Sequence, residues 1–543
     1  MRWRCYQKFR LSRSKSTNIR VRNSTVQISV IHFGKSIGCQ KDARTVVKKS
    51  TATGSDMSFR RRVFHWIRHN LCFFISGIFC IAWFLFRTGT KPSRIEYPCQ
   101  QASIAGANLW FAIYLTPLIS ILRNGRDQIN RLAGAGLILA VLITGGLYFF
   151  GTQSPEPFTE IDPEPFTEEE IQSSVTSDIF VLNGTTGDDG GLSQLLMLME
   201  QKGTPFYEVR NGTGNTGLIA QDDVIIIKVN GQWSERGGTN TDLVKALVQA
   251  IVDHPDEFTG EIIIADNGQA QWGETGTGGN MDYTKNNAMD RSQSMTRVAG
   301  YFSGTYRVST YLWDTITTKR VYEYAEGDMD DGYIVNETRN PRTGMLVSYP
   351  KFRTQYGTYV SFKHGIWNTD TRTYDSDRLK IINVPVLKRH IKYGVSGAVK
   401  NYMGVPSDKL TAKMGSRAHL TVDEGGMGTE IAETRFPAIT FLDAIWINAR
   451  RGPNTAYDTA TQTNIVAAGT DPVALDFWAA QNILMPTARS LGYTDVSSID
   501  PENTSQGKFG YWLRLSMREL RLSGFNTTID KDAINVYFIE KDQ

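Results

Sequence analysis

Apolar residues fall along this chain in two styles. Before residue 150 they gather in long unbroken runs, and beyond residue 174 they come in short runs set between segments of helical period. The long runs are Leu71 to Phe86, Ala105 to Leu122 and Leu132 to Phe150. A helix needs roughly 20 mostly apolar residues to cross the hydrocarbon core of a bilayer. The third run is uncharged and ends in Tyr148-Phe149-Phe150, the aromatic composition of a membrane interface. The second contains Pro117 and reads either as a span or as a buried helix. Two or three transmembrane helices are therefore expected within 57–150.

The short runs predict a different architecture. Asp178–Asn183, Val224–Val229, Glu261–Ala265, Lys380–Val386 and Ala438–Leu442 have the Val/Ile-rich character of strands. Leu192–Lys202, Thr241–Asp253, Ser396–Met403 and Asp471–Leu484 have helical patterning. Continuous apolar strands alternating with helices indicate an α/β fold, a mainly parallel sheet covered by helices. The stretch 267–378 is rich in Gly, Thr, Tyr, Asp and Asn and predicts a loop-rich insertion with short strands. The expected organisation is a basic segment at 1–56, a membrane region at 57–150, a linker at 151–173 and an α/β domain at 174–543. Residues 1–56 have no sustained helical or strand period. They read as an over-long start before Met57 or as an Arg- and Ser-rich transit peptide. The linker repeats EPFTE at 156–160 and 164–168, and its four prolines and seven acids suit a stiff, solvated spacer.

Charge sharpens this division. The 543 residues carry a formal net charge of +4. Residues 1–150 hold 23 Lys and Arg against 4 Asp and Glu, and the rest hold 36 against 51. An acidic body lacks the basic face that phosphate-backbone binding requires, so no nucleic-acid partner is expected. Arg60, Arg61, Arg62 and Arg68 before the first run, and Arg123, Arg126 and Arg131 before the third, orient the spans by the positive-inside rule. The bilayer is then a partner, and the acidic domain of this multi-pass protein is extracytoplasmic. Arg87, Lys91 and Arg94 in the first loop oppose that orientation, and it reverses if the second run does not span. All five cysteines lie in the first 99 residues. The body therefore has no thiolate for an iron–sulfur cluster, a thiolate zinc site or a cysteine nucleophile.

Candidate chemistry sits just past the strand ends, where α/β sheets place their ligands. Lys228 and Asn230 close VIIIKVN, and Asp266 closes EIIIAD. Lys388 follows INVPV, and Lys400 and Asn401 lie in GAVKNYMG. Asp443, Asp471 and Asp476 follow later strands. Lysines can hold a phosphate or carboxylate as point charges. Aspartates can neutralise them, bind a hard divalent cation or act as bases. Lys228, Asn230, Asp266, Lys388, Lys400 and Asn401 are thus the candidate ligand-binding set, and Asp443, Asp471 and Asp476 the candidate metal set. Asp471 before Pro472 also suits a helix cap, and Asp476 a partner for a lysine. His390 and His419 are the histidines nearest these motifs, but no HxH or HExxH spacing supports a metal site, and each reads better as a hydrogen-bonded structural histidine. GTTGDDGG at 184–191 lacks the ending of a phosphate loop.

In this order VIIIKVN, IIIADNG, INVPVLKRH with GAVKNYMG, and AAGTDPVALD resemble the prokaryotic domain-of-unknown-function family numbered 362, over about residues 178–490. Arg87 to Gln100 resembles the amino-terminal region of membrane-attached members, which favours Met57 as the start. The resemblance implies a fold module without a settled activity. Some members carry added ferredoxin-like cysteines, which this body lacks. The expected function is therefore a membrane-anchored, uncharacterised α/β domain. It binds a small anionic ligand or hydrated metal in a Lys/Asn/Asp crevice, with the reaction, if any, left open. The alternative is a non-catalytic envelope or interaction protein whose insertion presents Trp272, Tyr283, Tyr301, Tyr306, Tyr311 and Trp313 as a binding surface.

Overall fold

The computed structural model describes residues 19–21, 24–26 and 175–541, apart from 210–216, 269–279, 412–416, 451 and 453–454. The chain forms two units, 1–153 and 154–543. In the first unit the described residues are β1 (Ile19–Val21) and β2 (Ser24–Val26), an antiparallel pair. The three apolar runs and the acidic linker lie outside the described residues, as does Trp272. Among the described residues no helix is long and apolar enough to cross a membrane.

The second unit is a mixed α/β domain around a mostly parallel sheet. Its strands are β3 (Ser177–Asn183), β4 (Val224–Lys228), β5 (Glu261–Asp266), β6 (Val308–Leu312), β12 (Leu379–Asn383), β15 (Ile439–Asn448), β16 (Thr461–Gly469) and β17 (Ile534–Glu540). They lie in the order β17-β3-β16-β15-β12-β4-β5-β6, and only β16 runs against the others on this path. Neighbouring side chains alternate between two cores, as a pleated strand requires. Ile225, Ile227, Ile262 and Ile264 enter one core with α1 (Gly191–Gln201), α2 (Thr241–Val252) and α3 (Met295–Phe302). Val224, Ile226 and Ile263 enter the other with α6 (Gly426–Glu433), α7 (Pro472–Ala479) and α9 (Phe509–Leu522). Both faces are covered, which is why these strands read as unbroken apolar runs rather than alternating ones.

The segment 267–378 divides in two. α3 and β6 extend the central sheet beside β5. The strands β7 (Gly332–Val335), β8 (Ser348–Arg353), β9 (Tyr359–Ser361), β10 (Gly365–Asn368) and β11 (Thr373–Asp375) form a separate antiparallel meander. Its buried residues Tyr333, Tyr349, Phe352 and Val360 pack into the second core.

The path fixes where a site can form. From β4 the chain winds outward through α2, β5 and α3 to β6, whereas β12 lies on the other side of β4. The winding direction therefore reverses between β4 and β12, and crevices open beyond the strand ends at such a switch.

Candidate functional site

The narrow crevice at that reversal is lined by Lys228, Asn230, Gln232, Trp233, Asp266, Asn267, Lys388, His390, Lys400, Asn401 and His419, among others, around a cavity of about 30 Å³. All six residues of the ligand-binding set are in this lining. Lys228 and Asp266 end neighbouring parallel strands, and their side chains meet at 2.7 Å with both almost wholly buried. The Lys228 ammonium also donates to the Val229 carbonyl at 2.9 Å, and the Gly231 amide donates to Asp266 Oδ2 at 2.7 Å. Burial pulls the ammonium down from its ordinary range and pushes the carboxyl up, each opposed by the partner's charge. The turn at Tyr402–Gly404 closes directly over this pair. A Cβ on Gly404 would lie 2.1 Å from Asp266 Oδ1 and 2.4 Å from Lys228 Nζ, so the approach requires glycine.

Lys388 reaches the crevice through a break in pairing. β12 pairs with the first half of β15, Val384-Pro385 interrupts it, and β13 (Val386–His390) pairs with the second half. Pro385 has no amide to donate to a ladder, but its carbonyl accepts from the Asp443 amide at 2.8 Å. β13 then turns back into β14 (Gly394–Ser396), with Lys388 opposite Ser396. The Lys388 ammonium donates to the Gly237 carbonyl at 2.6 Å and lies 5.8 Å from the centre of the Trp233 ring. Burial, and then the charge of Lys400, pull it down to about 7.

Lys400 and Asn401 come off the short helix α4 (Ala398–Asn401). Asn401 donates to Asn383 Oδ1 at 2.8 Å and reaches the Lys228 carbonyl at 3.4 Å, tying α4 to the ends of β12 and β4. Lys400 is 8% exposed and its ammonium lies 5.3 Å from the centre of the Tyr393 ring. Among the described residues no hydrogen-bond acceptor and no carboxylate within ion-pair distance meets Lys400. Burial pulls it down to about 8, with Asp408 opposing and Lys228 adding to the shift. Lys388 likewise has no carboxylate within ion-pair distance among the described residues. The crevice thus holds three lysines and one paired aspartate, an uncompensated positive balance.

Two histidines complete the wall. His390 Nδ1 accepts from the amides of Lys392 and Tyr393 at 3.2 and 3.1 Å, which leaves its neutral proton on Nε2. Burial and the nearby Lys400 hold His390 well below its ordinary value and His419 at about 3. Both are therefore neutral imidazoles in the wall. Asn230 lines the crevice with a buried side-chain oxygen that meets no donor among the described residues.

Asp443, Asp471 and Asp476 are not in this lining. Asp443 accepts from the Asn240 amide and the Asn287 side chain at 3.0 and 2.8 Å. Asp471 caps α7 through the Val473 and Ala474 amides and also accepts from Ser177 and Thr528. Asp476 accepts from the Ala398 and Val399 amides at 2.6 and 3.0 Å, so it holds the start of α4 rather than a lysine. Burial pushes the three up to about 6, 6 and 7. Among the described residues no group of three His, Cys, Asp or Glu could hold a metal ion. A Cβ on Gly397 would lie 2.0 Å from Asp476 Oδ1, so this glycine lets the carboxylate reach the helix start.

Sequence reasoning placed Asn267 in the cluster after β5 without giving it a role, and did not single out Gln232 and Trp233. Their positions just past the ends of β4 and β5 were the available signal. Arg236 secures the loop carrying Trp233: it lies 4.1 Å from the Trp446 ring centre and donates to the Asn287 and Ala288 carbonyls. Among the described residues, the candidate aromatics Tyr283, Tyr301, Tyr306, Tyr311 and Trp313 form no common exposed face. Trp313 is fully buried, Tyr306 and Tyr311 pack on the two cores, Tyr283 is half-buried and Tyr301 is 71% exposed.

Fold and crevice together define an α/β protein with a cationic, lysine-lined site at a topological switch. A family model described as "Domain of unknown function (DUF362)" matches residues 367–481, so the resemblance to that family is shown over that stretch. The match runs from β10 past α7 and includes Lys388, Lys400 and Asn401 but not Lys228, Asn230 or Asp266. No curated protein and no solved structure matches the chain.

Proposed function

We propose that the crevice binds a small anion, a phosphate or a carboxylate, between Lys388 and Lys400. The observation that carries this reading is that both ammonium groups are buried without a carboxylate, next to a Lys228–Asp266 pair that is already neutralised. Placing a cation in such surroundings is unfavourable, and an anion between the two would remove that cost. A neutral donor lies in the same lining: the Nε2 proton of His390. Isothermal titration of the full chain with inorganic phosphate, sulfate and acetate tests the reading. Saturable binding that weakens in Lys388→Met and Lys400→Met supports it. Equal binding by wild type and both variants removes it.

The apolar runs before residue 150 support a second element of the proposal, attachment of the domain to a bilayer through 57–150. With all three runs spanning, the arginines before the first and third runs orient residue 151 to the outer side. A reporter fused after Phe150 that is active only outside the cytoplasm is expected to score. Activity of a cytoplasm-only reporter at that point reverses the orientation.

A further inference from the structure

We propose that Lys400 is a nucleophilic amine that forms an imine with a small 2-oxo acid whose carboxylate is held by Lys388. This inference rests on the anion-binding reading and assigns the crevice a substrate class and a reaction.

The three lysines differ in what occupies their nitrogen. Lys228 is ion-paired to Asp266 at 2.7 Å, which holds its proton in place. Lys388 donates to the Gly237 carbonyl at 2.6 Å, which fixes its nitrogen in the lining. Lys400 has neither an acceptor nor a carboxylate partner among the described residues, and the flat face of Tyr393 lies beneath it. A desolvated amine beside another cation is the arrangement that exposes a lysine lone pair. Burial pulls Lys400 down to about 8 and Lys388 further, to about 7; what separates them is that Lys388 commits a proton to the Gly237 carbonyl and is returned to its charged form by a bound carboxylate, whereas no acceptor among the described residues meets Lys400.

The chemistry balances without an oxidant or reductant. The neutral amine adds to the carbonyl carbon, forming a C–N bond, and the carbonyl oxygen takes up a proton to give a carbinolamine. The hydroxyl then leaves as water, the nitrogen loses its remaining proton, and a C=N bond forms. The two protons that the nitrogen gives up are the two that the oxygen takes up as it leaves as water, so no further acid is consumed; His390, whose Nδ1 is occupied by two backbone amides, offers its Nε2–H to that oxygen as a hydrogen bond and keeps the proton. The Lys388 ammonium fixes the neighbouring carboxylate. The 2-oxo acids carry carboxylate and carbonyl carbon on neighbouring atoms, so one small molecule presents both groups to the two lysines of this lining.

The test is reductive trapping. The full chain is incubated with pyruvate or glyoxylate and sodium cyanoborohydride, then digested, and every lysine is surveyed by mass spectrometry. The expected result is modification at Lys400 at least tenfold faster than at exposed lysines such as Lys319, slowed by inorganic phosphate and at least tenfold slower in Lys388→Met. Lys400→Arg keeps a cation but has no amine that can add to a carbonyl, and is expected to lose the rapid adduct. Modification of Lys400 no faster than Lys319 overturns the inference, even if phosphate binds. A rapid Lys400 adduct that phosphate does not slow supports the amine chemistry and overturns the anion seat between the two lysines.

Discussion

Two groups of buried charges lie within this domain, and they are treated in opposite ways. Asp443, Asp471 and Asp476 are each met by backbone amides, and they fasten a loop or a helix start. Lys388 and Lys400 are also deeply buried, yet meet one carbonyl and two aromatic rings between them. A buried charge satisfied by fixed donors contributes to scaffolding. A buried charge left uncompensated on the wall of a cleft destabilises the empty site and is relieved by a ligand. Lys228 and Asp266 stand between the two groups, because they line the cleft but neutralise each other.

The largest expected effect tests that middle case. Asp266→Ala leaves Lys228 buried without its counter-ion and should cost about 3–5 kcal/mol of stability, read from urea denaturation. A loss below about 1 kcal/mol would show that Lys228 is readily rehydrated, and the pair would not be a structural element. Next, Asp476→Ala removes the acceptor of two buried amides at the start of α4. The expected loss is about 1.5–3 kcal/mol, accompanied by weaker phosphate binding because Lys400 rides on that helix.

Lys388→Met should behave differently from both aspartate variants. Phosphate binding should weaken by about 1.5–3 kcal/mol, the contribution of a charged hydrogen bond, while stability stays level or rises. A stability loss as large as that of Asp266→Ala would move Lys388 into the scaffolding group.

The pH dependence, spread over several pH units, is the most diagnostic. The lysines' folded pKa values of about 7 and 8 lie below the ordinary 10.5, so between these limits the unfolded chain binds more protons. Stability contributed through these two groups therefore rises with pH from about 7 to 10.5 and is level below and above that window. Asp443, Asp266, Lys228 and Asp408 are the charged neighbours acting on them. Anion binding should run the other way, weakening by up to about 1.4 kcal/mol per pH unit for each lysine that must be protonated. In Lys388→Met both slopes should shrink. Unchanged slopes would detach them from the cleft.

The strands β3, β4, β5, β12 and β15 and the helices α1, α2 and α7 were legible from apolar runs and periodicity alone. A strand covered on both faces needs apolar residues at every position, and VIIIK and EIIIA announce that directly. The strand ends also announced Lys228, Asp266, Lys388 and Lys400, because parallel strands deliver their following loops to one side. The division of roles among those residues was not legible. Lys228, Lys388 and Lys400 look equivalent in a sequence, and Asp266 looks like Asp476. Which lysine has a counter-ion follows from β4 and β5 being neighbours in parallel register. Which aspartate caps a helix start follows from α7 packing beneath α4, 78 residues apart in the chain. Pairing across such separations depends on the order of strands in the sheet, and local patterning carries no record of that order. The sequence by itself determined the apolar strands, the split between basic and acidic regions and the residues available for chemistry. The tertiary structure alone decided which buried charges were neutralised and which two were left facing the cleft.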